Sequence, residues 1–209
     1  LKLFETLARQ TGAALGQDRL TRTVSEMREL QAGLEHQAFH DPLTGLANRL
    51  LFMNRVEHAL KRRTGNVAVL YIDLDDFKAV NDTLGHEAGD DLLAGAADRL
   101  RDSLRPADTP ARLGGDEFAV LLLDISMEHV HVVADRILRK LARPMELAGS
   151  EHPVEASLGV AIADSGALRA DELVRNADVA MYVSKHGGKS GYSVYEPRMS
   201  EPEPELARR

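Results

Sequence analysis

The segment VAVLYIDLDD, residues 67–76, sets the architecture that the sequence predicts. Its first eight residues are almost continuously apolar and include β-branched side chains, which is typical of a strand buried on both faces of a sheet. The run ends in Asp73, Asp75 and Asp76. Carboxylates at the end of a buried strand are costly to desolvate unless they are paired or bind a cation. We therefore predict a buried strand over 67–74 that carries acidic groups to one edge of a sheet.

A second acidic pair, Asp116 and Glu117, directly follows Gly114 and Gly115. The flanking apolar segments, 111–113 and 117–123, predict a β-hairpin. If this hairpin pairs beside strand 67–74, Asp73 and Asp116 converge, and two carboxylates without His or Cys suit Mg²⁺ or Mn²⁺ rather than zinc. The structural alternative is that Asp73 caps a helix, Asp116 fills the turn, and the glycines only permit positive φ.

The residues after Asp76 offer groups that suit a nucleotide. Phe77 and Lys78 open a helical turn, where free backbone N–H groups and the Lys78 ammonium can hold a triphosphate. Asn81 and Asp90 can read guanine, because an amide donates to O6 and a carboxylate accepts from N1–H and the exocyclic amine. Taken singly, Asn81 and Asp90 are equally well explained as helix caps.

The remaining elements complete one domain. Apolar periodicity and breaker residues predict helices at 48–63, 89–104, 127–142 and 170–186, and further strands at 154–163 and 192–195. This order of helices and strands predicts an α+β fold, an α/β sandwich around one central sheet.

The two ends of the chain differ from this central part. Leu20, Val24, Met27, Leu34 and Ala38 follow the spacing of a coiled-coil seam, so residues 1–40 are predicted to form a helix that pairs with a second chain. The alternative is an amphipathic helix packed on its own domain. Residues 197–209 are rich in proline and glutamate and predict a disordered linker. The start at Leu1 leads us to expect a fragment of a longer protein.

Composition excludes several functional classes. The net charge is −7 and no basic face is evident, so we expect no nucleic-acid binding. The chain has no cysteine, which excludes disulfides, thiolate metal sites and thiol nucleophiles and fits a cytoplasmic location. No apolar run approaches the roughly 18 residues of a membrane span, so we expect no membrane contact.

Several motifs resemble the GGDEF family of diguanylate cyclases. The run RLGGDEF at 112–118 contains the signature, and DPLTGLANR at 41–49 and YIDLDDFKAVNDTLGHEAGD at 71–90 precede it. The segments SLGVA at 157–161 and NADVAMYVSKHGGKSGY at 176–192 follow it. The resemblance covers about 41–196. It implies a palm-like nucleotidyl-cyclase fold with a mixed, mainly antiparallel five-stranded sheet, and a cyclase that condenses two GTP into cyclic di-GMP as a homodimer.

The resemblance also implies roles for matching positions. Asp73 and Asp116 would be metal carboxylates, assisted by the Leu74 carbonyl, and Glu117 would touch the metal or help to deprotonate the 3′-hydroxyl. Asn81 and Asp90 would read guanine. The phosphate-holding residues would be Phe77, Lys78, Lys185 and Lys189. The family more often has arginine at the last position, and lysine keeps the charge there but loses the fork of donors.

A motif of the form RxxD stands at Arg105 to Asp108, at the offset where the family carries an inhibitory product site. Arg136 falls where the family places another product-binding arginine. The resemblance therefore implies feedback by cyclic di-GMP, whereas the plain structural interpretation is an ion pair at a helix end. Three rival functions stay open: a silent domain that only binds GTP or cyclic di-GMP, a dimerisation module, and another palm-like cyclase or polymerase.

Overall fold

The computed structural model describes residues 37–62, 65–164 and 168–200, with 27 and 33. The chain divides into two compact units, 1–39 and 40–209. Almost all of the predicted coiled-coil seam lies outside the described residues, since only Met27 and Ala38 of it are included. The sheet, the helices around it and the predicted site residues all lie in the second unit.

The second unit is built from five helices and seven strands within the described residues. The helices are α1 (Arg49–Lys61), α2 (Phe77–Leu84), α3 (His86–Arg101), α4 (Met127–Leu141) and α5 (Ala170–His186). The strands are β1 (Asn66–Leu74), β2 (Thr109–Gly114), β3 (Glu117–Leu123), β4 (Met145–Leu147), β5 (Ser150–His152), β6 (Ala156–Asp164) and β7 (Tyr192–Val194).

Five strands form one sheet in the order β2-β3-β1-β6-β7. The first three pairings are antiparallel, and β6 pairs with β7 in parallel. The predicted α+β sandwich with a mixed, mainly antiparallel five-stranded sheet is therefore confirmed. Strand β1 lies at its centre.

The core has two parts, one on each face of the sheet. On β1, Leu70 and Ile72 pack on the face covered by α3 and α4, while Val69 and Tyr71 pack on the face of α1 and α5. Successive side chains of a strand point to opposite faces, so a strand covered on both sides has to be apolar at almost every position. This is why β1 could be recognised from its sequence.

The structure differs from the predicted elements in three places. The helix predicted at 89–104 is preceded by a separate helix α2, and the two are divided at Gly85, whose φ is 89°. A hairpin, β4–β5, follows α4 and was not predicted. The tail predicted as a disordered linker begins with a short 3₁₀ helix, Pro197–Ser200, and 201–209 lie outside the described residues.

No helix in the described part of the chain combines the length and the apolar character that crossing a membrane requires.

Candidate active site

The two predicted metal carboxylates, Asp73 and Asp116, form what we call the acidic centre. It lies where β1 ends beside the turn of the β2–β3 hairpin. Asp73 is the penultimate residue of β1 and pairs with Glu117 of β3. The backbone N–H of Leu74 donates to the carbonyl of Asp116 at 3.3 Å. The register of an antiparallel pair therefore brings Asp73 and Asp116 to one edge of the sheet, as the sequence predicted.

On balance, the surroundings of Asp73 disfavour the ionised form of its carboxyl group. Burial raises the pKa of this carboxyl, and the hydrogen bond from Lys185 lowers it, while the charges of Asp116 and Asp75 raise it further. The pKa of Asp73 is therefore raised on balance, and only 8% of the surface of this residue is exposed. Such a carboxylate is stabilised by a nearby cation.

Lys185 supplies one such cation. Its Nζ donates to Oδ1 of Asp73 at 2.6 Å. Burial opposes the ammonium form, but Asp73 raises the pKa of Lys185 on balance. The lysine reaches this point because α5 lies directly on the sheet: a Cβ at Gly159 of β6 would overlap the backbone of Ala177 and Met181. Glycine at this position thus permits the close helix–sheet approach.

The tip of the β2–β3 hairpin is exposed, and its two glycines have positive φ angles. Gly114 has φ 146° and Gly115 has φ 52°, values that L side chains rarely adopt, and both residues are exposed. Nothing lies within 4 Å of the position that a Cβ would take at either glycine. The backbone here is therefore accessible to a ligand, and the constraint on residue type comes from φ rather than from packing.

Arg112 holds this tip. Its Nε and Nη2 donate to the carbonyl of Gly115 at 3.0 and 2.8 Å, and its Nη1 donates to the carboxylate of Asp41 at 3.2 Å. Asp41 in turn accepts from the backbone and the hydroxyl of Thr44. The turn that precedes α1 is thereby tied to the turn that carries Asp116.

Arg49, at the start of α1, contacts the hairpin on both sides of the glycines. Its Nε donates to the carbonyl of Leu113 at 3.3 Å, and its Nη2 lies 3.5 Å from Oε2 of Glu117. The hydroxyl of the buried Tyr71 also interacts with Glu117 and Arg49, and burial together with Glu117 raises the pKa of that hydroxyl far above its usual value. Glu117 is therefore engaged by protein groups.

The predicted guanine-reading residues lie on two helices that contact each other, Asn81 on α2 and Asp90 on α3. A Cβ at Gly89 would overlap Oδ1 of Asn81, so the Asn81 amide lies against α3 at the residue before Asp90. Asp90 is exposed and Asn81 is half-buried. An amide and a carboxylate are the groups that can pair with a guanine edge.

The predicted phosphate-holding residues lie around the beginning of α2. Asp76 precedes this helix with φ 57°, Phe77 is half-buried, and Lys78 is exposed. Lys189 donates from Nζ to both carboxylate oxygens of Asp76 at 2.8 and 2.9 Å. The structure thus places Lys78 and Lys189 near the same turn, with Lys189 paired to an acid and Lys78 open to solvent.

The acidic centre fits a hard divalent cation. Asp73, Asp116 and the Leu74 carbonyl offer oxygen donors, which are the ligands that Mg²⁺ and Mn²⁺ prefer. Within the described part of the chain, no group of three His, Cys, Asp or Glu side chains is placed to hold a metal ion. Two carboxylates without a third match a cation that takes its other ligands from water and substrate phosphates.

The RxxD motif forms a closed turn between α3 and β2. The Asp108 side chain is fully buried and accepts from the backbone N–H of Arg105 at 3.0 Å and from its Nη2 at 3.3 Å, while about half of the Arg105 side chain stays exposed. Both residues line a pocket of about 390 Å³ together with Arg55 and Arg101. Three arginines therefore line this pocket, and their guanidinium groups also bond to neighbouring protein groups.

Arg136 is not part of that pocket. It lies on α4, where its Nε is buried and has no hydrogen-bond partner. The lining of the RxxD pocket does not include it. The structure thus brings Arg105 and Asp108 together and leaves Arg136 apart from them.

Three contacts of the site were not predicted: Arg112 with Asp41, Arg49 with Glu117, and Tyr71 with Glu117. The motifs DPLTGLANR and RLGGDEF gave no predicted role to Asp41, Arg49 or Arg112. The only available signal was the charge complementarity of these two segments, which does not identify partners as far apart as the 71 positions between Asp41 and Arg112.

Several known proteins are similar to this chain. A family model described as "Diguanylate cyclase, GGDEF domain" matches residues 38–191. The bifunctional diguanylate cyclase/cyclic di-GMP phosphodiesterase MucR of Pseudomonas aeruginosa is 40% identical over 166 residues, which are 78% of this chain and 24% of MucR. The chain spans less than half the length of the curated relatives that match it first.

Solved structures show the same fold. The GGDEF domain of TpbB from Pseudomonas aeruginosa superimposes with a TM-score of 0.72 at 39% identity, over 77% of this chain and 96% of that one. The coiled coil and GGDEF domain of DgcB from Caulobacter crescentus, solved with cyclic di-GMP, gives a TM-score of 0.76 at 26% identity. That match covers 85% of this chain and 98% of DgcB.

Proposed function

Because this chain belongs to the GGDEF family of diguanylate cyclases, we propose that it condenses two molecules of GTP into cyclic di-GMP and two of pyrophosphate. The observation that carries the proposal is the meeting of Asp73 and Asp116 at the edge of the sheet, with the Leu74 N–H bonded to the Asp116 carbonyl. Phosphoryl transfer depends mainly on positioning and on neutralising charge, and this edge supplies paired acids with cations beside them.

Asn81 and Asp90 select the base. The amide of Asn81 donates to O6 of guanine, and the carboxylate of Asp90 accepts from N1–H and the exocyclic amine. Adenine presents the opposite pattern of donors and acceptors on this edge, so it leaves these groups unpaired. An unpaired buried polar group costs about 1–3 kcal/mol, which is the basis of the selectivity for GTP.

Asp73, Asp116 and the Leu74 carbonyl would hold Mg²⁺ or Mn²⁺. The bound cation would supply charge stabilisation at the phosphate oxygens during transfer. Lys78, Lys185 and Lys189 neutralise the triphosphate, and Phe77 lies at the same turn. For Lys185 and Lys189 this requires an exchange of partners, since they now pair with Asp73 and Asp76. The Glu117 carboxylate would touch the cation or act as a base that takes the proton of the 3′-hydroxyl.

The catalyst is a homodimer. The product has two-fold symmetry, and one domain supplies only half of the reacting groups, so two domains have to face each other about a two-fold axis. The seam pattern of residues 1–40, which includes Leu20, Met27 and Leu34, predicts that this segment pairs the two chains. The partners of the domain are therefore GTP, cyclic di-GMP and a second copy of the chain.

Product inhibition acts through Arg105 and Asp108. Guanidinium groups suit both guanine edges and phosphates. The pocket beside the motif has Arg55, Arg101 and Arg105 in its lining, and this cationic character supports an anionic ligand. Arg136 lies outside this pocket, so its part in product binding stays a prediction from the sequence.

The test is incubation of the protein with GTP and Mg²⁺, followed by chromatography for cyclic di-GMP. We expect cyclic di-GMP as the product, with a specific activity that falls on dilution as the dimer dissociates. Replacing Leu20, Met27 and Leu34 with polar residues should lower dimerisation and activity together. Binding of GTP without any product would identify the domain as a silent nucleotide-binding member and reject the proposal.

A further inference from the structure

Glu117 and Asp73 are directly opposite one another across β3 and β1. In an antiparallel pair, opposite residues project their side chains from the same face, with Cβ atoms about 5 Å apart. Two carboxylates in this relation repel each other. The register therefore brings Glu117 within reach of the acidic centre. The direction of its side chain then depends on its contacts with other residues.

The contacts of Glu117 draw it towards α1. Nη2 of Arg49 lies 3.5 Å from its Oε2, and the hydroxyl of Tyr71 interacts with the same carboxylate. Arg49 is fixed at its other donor, because its Nε bonds to the Leu113 carbonyl on β2. Asp178 of α5 adds a negative charge that interacts with both Glu117 and Arg49. Arg49 is thus the counter-ion of a carboxylate that otherwise faces two acids.

We propose that Arg49 is a positioning residue that holds Glu117 away from the Asp73–Asp116 pair, so that the nucleotide-free site offers two carboxylates instead of three. Tyr71 assists by bonding the same carboxylate. Glu117 then turns towards the acidic centre only when bound triphosphate changes the charge there. This inference rests on the proposed function for the role of the cation, but it concerns only the placement of the Glu117 side chain.

The arrangement has a consequence for cation binding. The number and charge of oxygen ligands set the affinity of a site for a hard cation. A third carboxylate would let the domain bind the cation tightly without GTP, and two carboxylates leave binding dependent on the phosphates. Arg49 therefore couples cation binding to the presence of the substrate.

The experiment measures Mn²⁺ binding to the whole chain without nucleotide, by the loss of the free-ion electron paramagnetic resonance signal. We expect Arg49→Met to tighten binding by about tenfold, because Glu117 is released to the acidic centre. Tyr71→Phe, which removes only a hydroxyl, should tighten it in the same direction by a smaller factor. Arg49→Lys keeps the charge but loses the Nε bond to Leu113, so its Mn²⁺ affinity should lie between those of the parent and Arg49→Met.

The double variant Arg49→Met with Glu117→Gln identifies the source of any gain. If Glu117 is the added ligand, the double variant returns to the parent affinity. Unchanged Mn²⁺ affinity in both Arg49→Met and Tyr71→Phe, with the fold intact by circular dichroism, overturns the inference. So does a gain that survives in the double variant. Because no GTP is turned over, these results are independent of the product assay that tests the proposed function.

Discussion

The Nη1 of Arg112 lies 3.2 Å from each carboxylate oxygen of Asp41, although the two residues are 71 positions apart in the chain. Both side chains are largely shielded, with 14% and 18% of their surfaces exposed. The same guanidinium donates twice to the Gly115 carbonyl. The pair therefore joins the turn before α1 to the turn that presents Asp116, and it fixes the position of that acid.

Arg112→Met should reduce the catalytic rate by about a hundredfold, because a small displacement of a reacting group has an effect of this size. Its apolar chain fills similar space but donates no hydrogen bond to Gly115. The rate of cyclic di-GMP formation measures the effect. Arg169→Met is the matched control, since the Arg169 side chain is exposed and pairs with the exposed Asp171. Equal rates in Arg112→Met and the parent would show that the tip is held by other contacts.

Asp41 should make stability depend on pH. Burial raises the pKa of this carboxyl, but the hydrogen bonds from Thr44 and the pairing with Arg112 lower it below its usual 3.8 on balance. A lowered folded-state pKa means that the stabilisation is present above pH 3.8 and is lost as the pH falls through the lower folded value. Urea unfolding should show Asp41→Asn less stable than the parent at pH 7, with the difference shrinking below pH 3.8. A difference that is constant over this range would contradict the account.

Gly89→Ala should raise the KM for GTP by about tenfold, the equivalent of one lost hydrogen bond to the base. The added Cβ would overlap Oδ1 of Asn81 and force the amide out of its place. Steady-state kinetics measure the change. Gly95→Ala is the control in the same helix, because its Cβ meets the flexible end of Met145 and also gains helix propensity. A similar KM in both variants would remove Asn81 from the guanine site.

Arg105→Ala should raise the cyclic di-GMP concentration needed for half-inhibition by about tenfold or more, since a charge-assisted hydrogen bond to the product is lost. Synthesis in the absence of added product should continue, because the half-exposed Arg105 side chain lies outside the acidic centre. The backbone N–H of Arg105 still bonds to Asp108, so the turn is preserved. Identical inhibition curves for variant and parent would exclude this site.

The sequence predicted the centre of the fold well. β1 is covered on both faces, and its almost unbroken apolar run ending at Asp73 could only be a buried strand. The convergence of Asp73 with Asp116 followed from placing a hairpin beside it. In both cases a local pattern carried the information.

Other features depend on contacts that no local pattern encodes. The β4–β5 hairpin turns at Ala148 and Gly149 with φ of 51° and 78°, and alanine gives no sign of a positive φ. Helix α2 lies outside the predicted helices, since the sequence predicted only a helical turn at Phe77. Arg49 and Arg112 select their partners through the packing of α1 against the hairpin, so charge alone could not identify them.

The central claim is that Asp73 and Asp116 hold one divalent cation beside GTP. Crystals grown with Mn²⁺ and a non-reactive GTP analogue test it through anomalous diffraction at the manganese edge. The account predicts a manganese peak about 2.1 Å from a carboxylate oxygen of each acid and next to the phosphates. A peak bound by neither acid, or a triphosphate located away from this edge of the sheet, would contradict it.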